Sequence, residues 1–385
     1  MPKPDPWLLL TAFLCAAPAW AQVTVAITYL RAEVDRPPVL SNLDPVPEDL
    51  GIAGAKVALA DTMTTGTFLG HTYELTVISV PSDGDFIAAS QGLTADLILI
   101  DAPPADMLAV AAAHPAALLF NVSSGAADLR GKDCRANLLH TMPEDAARSD
   151  ALMQVLVARQ WSDLAMVVGP NPADHDWAAT LRASATKFGL TIGAEKDWTF
   201  DTDLRESTMQ EIPRFTQDLP DHDVLLIADA TDDFGRYVEH NAWLPRPVAG
   251  SDGMVPSGWS PVIEAWGAVQ LQNRFRDAAD RTMRGQDYAA WAAIRAIGEG
   301  VTRTNVADAA TLRRYLLSDA FQLDGFKGRG LSFRTWNGQL RQPIAVANSR
   351  ALIALAPLEG FLHQRNEMDT LGQDQTESAC TAFGG

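Results

Sequence analysis

Two acid–histidine–acid triplets, Asp174-His175-Asp176 and Asp221-His222-Asp223, combine side chains that could ligate a divalent metal. Their spacing matches no metal motif, and the plainer reading makes Asp174 a helix cap and Asp221–Asp223 a turn before a strand. Asp229-Ala-Thr-Asp232-Asp233 follows an apolar run. Its carboxylates suit a ligand or hard cation as well as the amides of a following helix; Asp229 stands evenly between the two and Asp233 on the helix side. Gly125-Ala-Ala-Asp-Leu-Arg-Gly131-Lys132-Asp133 resembles a phosphate loop. It is one residue too long and ends in Asp where Ser or Thr must hold the metal, so it reads as a polar surface loop. No GxSxG elbow, no HExxH and no GxGxxG after the first strand is present. Catalysis finds no support here.

Binding finds more. Tyr29-Leu30-Arg31 ends the first apolar run, Asp101 ends the third, and Asn121-Val122-Ser123-Ser124-Gly125 ends the fourth. Hydroxyls and backbone amides at such ends could receive a carboxylate, each charge-assisted bond contributing about 1.5–3 kcal/mol. Loop chemistry without a ligand is the alternative for Ser123 and Ser124, and surface solvation for Arg31 and Arg36. Trp177, Trp243, Trp259 and Trp266 lie near presumed loops or helix starts, where an indole could stack on a planar ligand. Trp266 and Trp291 fall inside helical patterns and read as core; Trp259, in Ser257-Gly-Trp-Ser-Pro261, is best placed to stack. The candidate ligand residues are thus Tyr29, Arg31, Asp101, Asn121, Ser123, Ser124, His175, Asp229 and Trp259. No catalytic or metal residue is assigned.

Positioning these residues requires strands that end at one edge. Apolar runs at Val23–Leu30, Thr72–Val80, Asp96–Ile100 and Ala116–Val122 alternate with helical patterns at Leu50–Thr67, Phe86–Gly92 and Pro104–Ala113. This is the signature of βαβ units on a parallel sheet buried on both faces. After a polar stretch, Gly125–Glu144, a second set begins. It has helices at Glu144–Gln160 and Asp176–Phe188, with Gly189 as a stop, and strands at Leu164–Val168 and Asp223–Ala228. Leu190–Ala194 and Trp198–Phe200 read as further strand pieces. Beyond them come long helices at Ser260–Arg284 and Tyr288–Thr302 and a shorter one at Ala307–Ser318. Gly330–Arg334, Gln342–Ser349 and Ala351–Leu355 read as strands paired around Trp336-Asn-Gly338. The expectation is an α/β fold of two Rossmann-like lobes with parallel sheets and a hinge. One lobe takes residues 22–140, the other 141–254, and each adds part of 255–385. The cleft between them would hold a ligand at the carboxyl ends of the strands.

The chain has 385 residues, a net charge of −18 and 47% hydrophobic residues, enough for two or three domain-sized units with real cores. The acidic balance disfavours nucleic acid and anionic lipid as partners. Met1–Gln22 reads as a secretory leader: an apolar stretch from Trp7 to Ala17 precedes Ala19-Trp-Ala21, with cleavage expected after Ala21. Leu14 before Cys15 argues against a lipid anchor. No later run reaches the ~20 apolar residues of a membrane helix. Export would place the remaining cysteines, Cys134 and Cys380, in an oxidising compartment, where pairing is preferred to two free thiols.

An exported, two-lobed α/β chain without catalytic motifs resembles the type I periplasmic solute-binding proteins of ABC transporters, over essentially the whole mature chain. Further residues narrow the likeness: Tyr288–Gly300 (YAAWAAIRAIGEG), Leu323–Gly328 (LDGFKG), Leu331–Pro343 (LSFRTWNGQLRQP), Glu359–His363 (EGFLH) and Asp369–Gly372 (DTLG). Together they resemble the binding-protein-like family associated with pyrroloquinoline quinone (PQQ)-dependent alcohol dehydrogenase systems. That resemblance implies a periplasmic, non-enzymatic receptor working with an inner-membrane ABC permease. Its ligand would be PQQ itself, a substrate or product of alcohol oxidation, or an amino-acid-like solute, with no cofactor required. A quinoprotein dehydrogenase is the further partner implied, and an accessory factor for its assembly or cofactor loading is the alternative role. PQQ, planar with three carboxylates, would need stacking and cationic donors, and an acidic protein repels it unless the local field is positive.

Overall fold

Strands rich in Leu, Ile and Val, buried on both faces, build two parallel sheets. The computed structural model describes residues 23–35, 45–200 and 208–383; the leader expected over Met1–Gln22, and Arg36, lie outside them. In the first lobe β1 (Val23–Ala32), α1 (Ile52–Leu69), β2 (His71–Val80), α2 (Phe86–Gln91), β3 (Leu97–Asp101), α3 (Pro104–Ala113), β4 (Leu118–Asn121) and β5 (Leu138–His140) follow one another. The sheet order is β2-β1-β3-β4-β5, all parallel. Leu97, Ile98, Leu99 and Ile100 of β3 are all buried, as a central strand covered by helices on both faces requires.

The second lobe holds α4 (Asp145–Ala158), β6 (Asp163–Val168), α5 (Pro172–Lys187), β7 (Thr191–Asp197), α6 (Thr208–Thr216), β8 (Val224–Ala228), α7 (Gly235–Asn241) and β9 (Val248–Gly250). Its parallel order is β7-β6-β8-β9. After β10 (Val255–Ser257) the chain returns to the first lobe as α8 (Ala268–Ala279), α9 (Gly285–Thr304), α10 (Ala309–Leu316), β11 (Leu323–Asp324), β12 (Gly330–Phe333) and β13 (Leu340–Arg341). It then crosses back as β14 (Ile344–Ala347) and β15 (Leu352–Ala356), antiparallel beside β10. Helices α1 and α9 pack backbone to backbone at Gly54. A Cβ there would lie 1.9 Å from the Asp287 carbonyl oxygen, so only glycine permits this approach.

Three crossovers join the lobes: Thr141–Glu144, the segment from Gly258 towards α8, and Gln342–Pro343. They touch one another, since a Cβ on Gly258 would sit 2.9 Å from Pro143 Cγ and 3.6 Å from Gln342 Oε1. The chain end forms a fourth link, joined to the first lobe by a Cys134–Cys380 disulfide, the pairing expected from the sequence.

Several sequence expectations change. The helix expected over Ser260–Arg284 spans only Ala268–Ala279, because Trp266 (φ 55°) and Gly267 (φ 80°) hold left-handed backbone before it and Asp280 (φ 54°) ends it. Leu190–Ala194 and the piece after it are replaced by one strand, β7, ending at Asp197. The polar stretch 125–144 conceals a 3-10 turn, Ala127–Arg130, and β5, whose three residues are too few to show a pattern. Its phosphate-loop look-alike is not a surface loop throughout, for Leu129 and Arg130 are fully buried. Short α6, α7, β9 and β10 were not legible either. The turn at Trp336–Gly338 forms, but it joins β12 to the short β13; the strand expected as its partner, Gln342–Ser349, becomes β14 and pairs with β10 and β15 instead.

Candidate functional site

The carboxyl end of β5 leads into the first crossover, and the β9–β10 turn leads through β10 into the second, so both sheets end beside the hinge. The hinge is a buried polar network. Arg130, wholly buried, donates Nε to Gln339 Oε1 (2.8 Å) and its other nitrogens to the carbonyls of Ser124, Ala126 and Met142. Gln342 Nε2 donates to the Thr141 carbonyl (2.8 Å), and buried Lys327 donates to Gln342 Oε1 (2.7 Å) and to the Pro343 carbonyl. Burial holds the Lys327 ammonium well below its ordinary pKa; the Tyr288 ring, 4.0 Å away, faces it.

On the first-lobe wall, β1 and β3 bring Tyr29, Arg31 and Asp101 together, because Tyr29 pairs with Leu99 and Arg31 with Asp101 in register. Tyr29 Oη donates to Asp101 Oδ2 (3.1 Å), and Arg31 Nε lies 3.8 Å from the same oxygen. Burial raises the Tyr29 phenol well above its usual pKa, and the Asp101 charge adds to the shift. A cavity of about 400 Å³ opens beside them, lined by Arg31, Glu33, Glu48, Asp101 and Gln286 among others.

Asn121, Ser123 and Ser124 also cluster, but in another arrangement than a carboxylate receptor needs. Asn121 is fully buried at the end of β4, and its Oδ1 accepts from the Ser123 and Ser124 amides (3.2 and 2.9 Å). Its Nδ2 donates to the Ser124 carbonyl (2.8 Å) and meets His140 Nδ1 (3.1 Å). The backbone donors read from the sequence as free are therefore occupied within their own loop. Ser123 Oγ is buried and has no hydrogen-bond partner among the described residues.

On the second-lobe wall, Asp229 is 3% exposed and turned inward. Its carboxylate accepts the amides of Asp233 (2.9 Å), Phe234 (2.8 Å) and Gly235 (2.7 Å), which starts α7. Burial nevertheless raises its pKa, the three amides pulling the other way. Asp174 does the same for α5, accepting the Asn171 and Ala230 amides (2.9 and 2.6 Å). His175 is exposed on the first turn of that helix. Trp259 is 2% exposed, stacked 4.9 Å from Tyr288 in the first core, with Nε1 donating to Gln272 Oε1. It is a core residue and no platform for a ligand. Trp266, read as core, is instead 52% exposed just before the start of α8.

What sequence reasoning missed is Asp252. It stands two residues past β9, next to Gly253, whose φ of 68° makes the β9–β10 turn. With Glu239, Ser257, Ser260 and Asn348 it lines a second cavity of about 280 Å³ beside the second crossover. Burial raises the Asp252 carboxyl, against the lowering effect of the Gly253 amide it accepts at 2.8 Å. The Ser-Asp-Gly turn after a short apolar run was the available signal.

Two parallel sheets joined by three touching crossovers define one architecture. The fold is that of the type I periplasmic binding proteins. No family model and no curated protein matches the chain; solved structures do, at low identity. A branched-chain amino acid ABC transporter periplasmic ligand-binding protein from Burkholderia xenovorans superposes with a TM-score of 0.69 at 13% identity, covering 94% of this chain and 100% of that one. The leucine-, isoleucine-, valine-, threonine- and alanine-binding protein from Brucella ovis, in a closed conformation, gives 0.67 at 14%, over 93% and 98%. A solute-binding protein from R. palustris in complex with benzoate gives 0.63 at 12%, over 93% and 99%. The type I periplasmic binding fold thus spans nearly the whole chain.

Proposed function

We propose that this chain is a periplasmic solute receptor that closes its two lobes on a small ligand and delivers it to an inner-membrane ABC permease, without chemical turnover. The observation that carries this reading is the two-lobed fold, with two parallel sheets joined by touching crossovers and a cavity at the sheet end of each lobe. The cavity linings favour a ligand with a positive charge: Glu33, Glu48 and Asp101 outnumber Arg31 on one wall, and Glu239 and Asp252 stand on the other. An amino-acid-sized amine fits this field and the size of the cavities, and several fold neighbours are named for amino acids.

The finer reading, a link to PQQ-dependent alcohol oxidation, rests on the C-terminal sequence motifs. Its ligand form, PQQ itself, has to overcome acidic linings on both walls. Titration calorimetry of the exported protein with a panel of amino acids, small amines and PQQ separates them. Heat with an amine and an affinity loss of about tenfold or more in Asp252→Asn are expected, the size of one charge-assisted contact. Binding of PQQ alone would replace the amine reading. Quinoprotein cofactor loading that requires this chain, with no heat from any ligand, would replace the receptor by an accessory factor.

A further inference from the structure

The chain end does more than trail from the second lobe. After β15 it runs back along the hinge, and between Met368 and Gln373 it is clamped to both lobes at once, Arg334 of the first lobe donating to the Met368 and Gln373 carbonyls on either side of Gly372. Asp369, 4% exposed, accepts from Arg334 Nε (3.0 Å) and Arg341 Nε (2.7 Å), both of the first lobe. Arg334 also donates to the Leu371 carbonyl (2.7 Å). Gly372, three residues on, is held by the second lobe at both of its backbone groups. Its amide donates to Asp150 Oδ2 of α4 (2.8 Å), and its carbonyl accepts from Lys187 Nζ of α5 (3.0 Å). Asp150 is fixed in turn by Ser184 Oγ (2.6 Å) and Lys187 (2.7 Å). Glycine is required at 372: φ is 77°, and a Cβ would lie 2.6 Å from Glu144 Oε2 at the first crossover. Eight residues further, Cys380 is bonded to Cys134 of the first lobe, so the strand cannot peel away from its end.

From these contacts we infer that Asp369–Gly372 is a stay across the hinge that limits how far the two lobes separate. Three residues of extended chain reach at most about 10–11 Å, so the lobes cannot part further at this point without breaking buried ionic hydrogen bonds. The disulfide keeps the stay in place by returning any detached tail to its clamps at high local concentration. Type I hinges bend by twisting in their crossovers; here a fourth, non-covalently latched segment lies beside them. The inference depends on the two-lobed fold and not on what ligand the gap takes, so it can fail while the receptor reading stands, and the reverse.

Small-angle scattering of the ligand-free full chain tests it. Gly372→Ala, and separately wild type reduced and alkylated at Cys134 and Cys380, are expected to show a larger radius of gyration than oxidised wild type, with native circular dichroism retained. An unchanged radius in a folded Gly372→Ala protein overturns the stay. Where that variant does not fold, the reduced wild-type chain, which carries no substitution, decides by the same criterion. Where reduction also unfolds the chain, Asp369→Asn, nearly isosteric, is measured in its place.

Discussion

At the level of single residues, the hinge is built from charges taken out of water. Glu144 of the first crossover is fully buried, its Oε1 has no hydrogen-bond partner among the described residues, and burial raises its pKa although Arg130 and Arg334 pull it down; nearby Asp150 raises it. A carboxyl whose folded pKa lies above its unfolded value binds more protons in the native state across that window. Stability from this group is therefore present at low pH and is lost as pH rises from the ordinary carboxylate range through the raised value. Glu144→Gln removes the ionisation and should leave stability near pH 4 unchanged while raising it at pH 8. Urea denaturation at both pH values reads this. A variant less stable than wild type at pH 8 would mean that the ionised carboxylate is instead held by the arginines. Of the residues chosen from sequence, Tyr29, Arg31 and Asp101 do assemble. Asn121 and Asp229 occupy the right strand ends but serve the backbone, because a short polar side chain at a strand end is as close to its own loop's amides as to a ligand.

Elements place the rest. Strand β9 has three residues, yet it carries the turn that presents Asp252. Gly250 closes that strand at φ 109°, with its Cα so near β8 that a Cβ would sit 2.4 Å from the Ile227 carbonyl oxygen. Gly250→Ala should cost roughly 1–3 kcal/mol for the backbone strain alone, with the clash in addition. It should also weaken ligand binding through the displaced Asp252 turn, read by thermal denaturation and calorimetry on the same sample. Loss of stability with unchanged affinity would separate the turn from the site. The long apolar strands and Ala-rich α9 were legible because many residues repeat one pattern. The 3-residue strands β5 and β9 and the left-handed pair at Trp266–Gly267 were not, since so few positions show no period and positive φ at Trp runs against its propensity.

For the molecule as a whole, the lobes are joined at the touching crossovers and by the tail, and the proposed receptor role requires them to close on a ligand. Saturating ligand should lower the radius of gyration in scattering, while Asp252→Asn should need a correspondingly higher ligand concentration for the same contraction. Heat of binding without contraction would argue for a site formed within one lobe.

The alternation of apolar strands with helices in two sets and the turn at Asn337-Gly338 were legible in local pattern, while the pairing of Cys134 with Cys380, preferred from the expected compartment, was decided by the structure. Which polar residues face the gap was decided only by tertiary structure. Arg130 meets Gln339, Asp150 meets Gly372 and Lys327 meets Pro343 across stretches of chain that no local window relates. A buried charge is stable only where such distant partners converge, so its role follows from the packing and not from its neighbours in sequence.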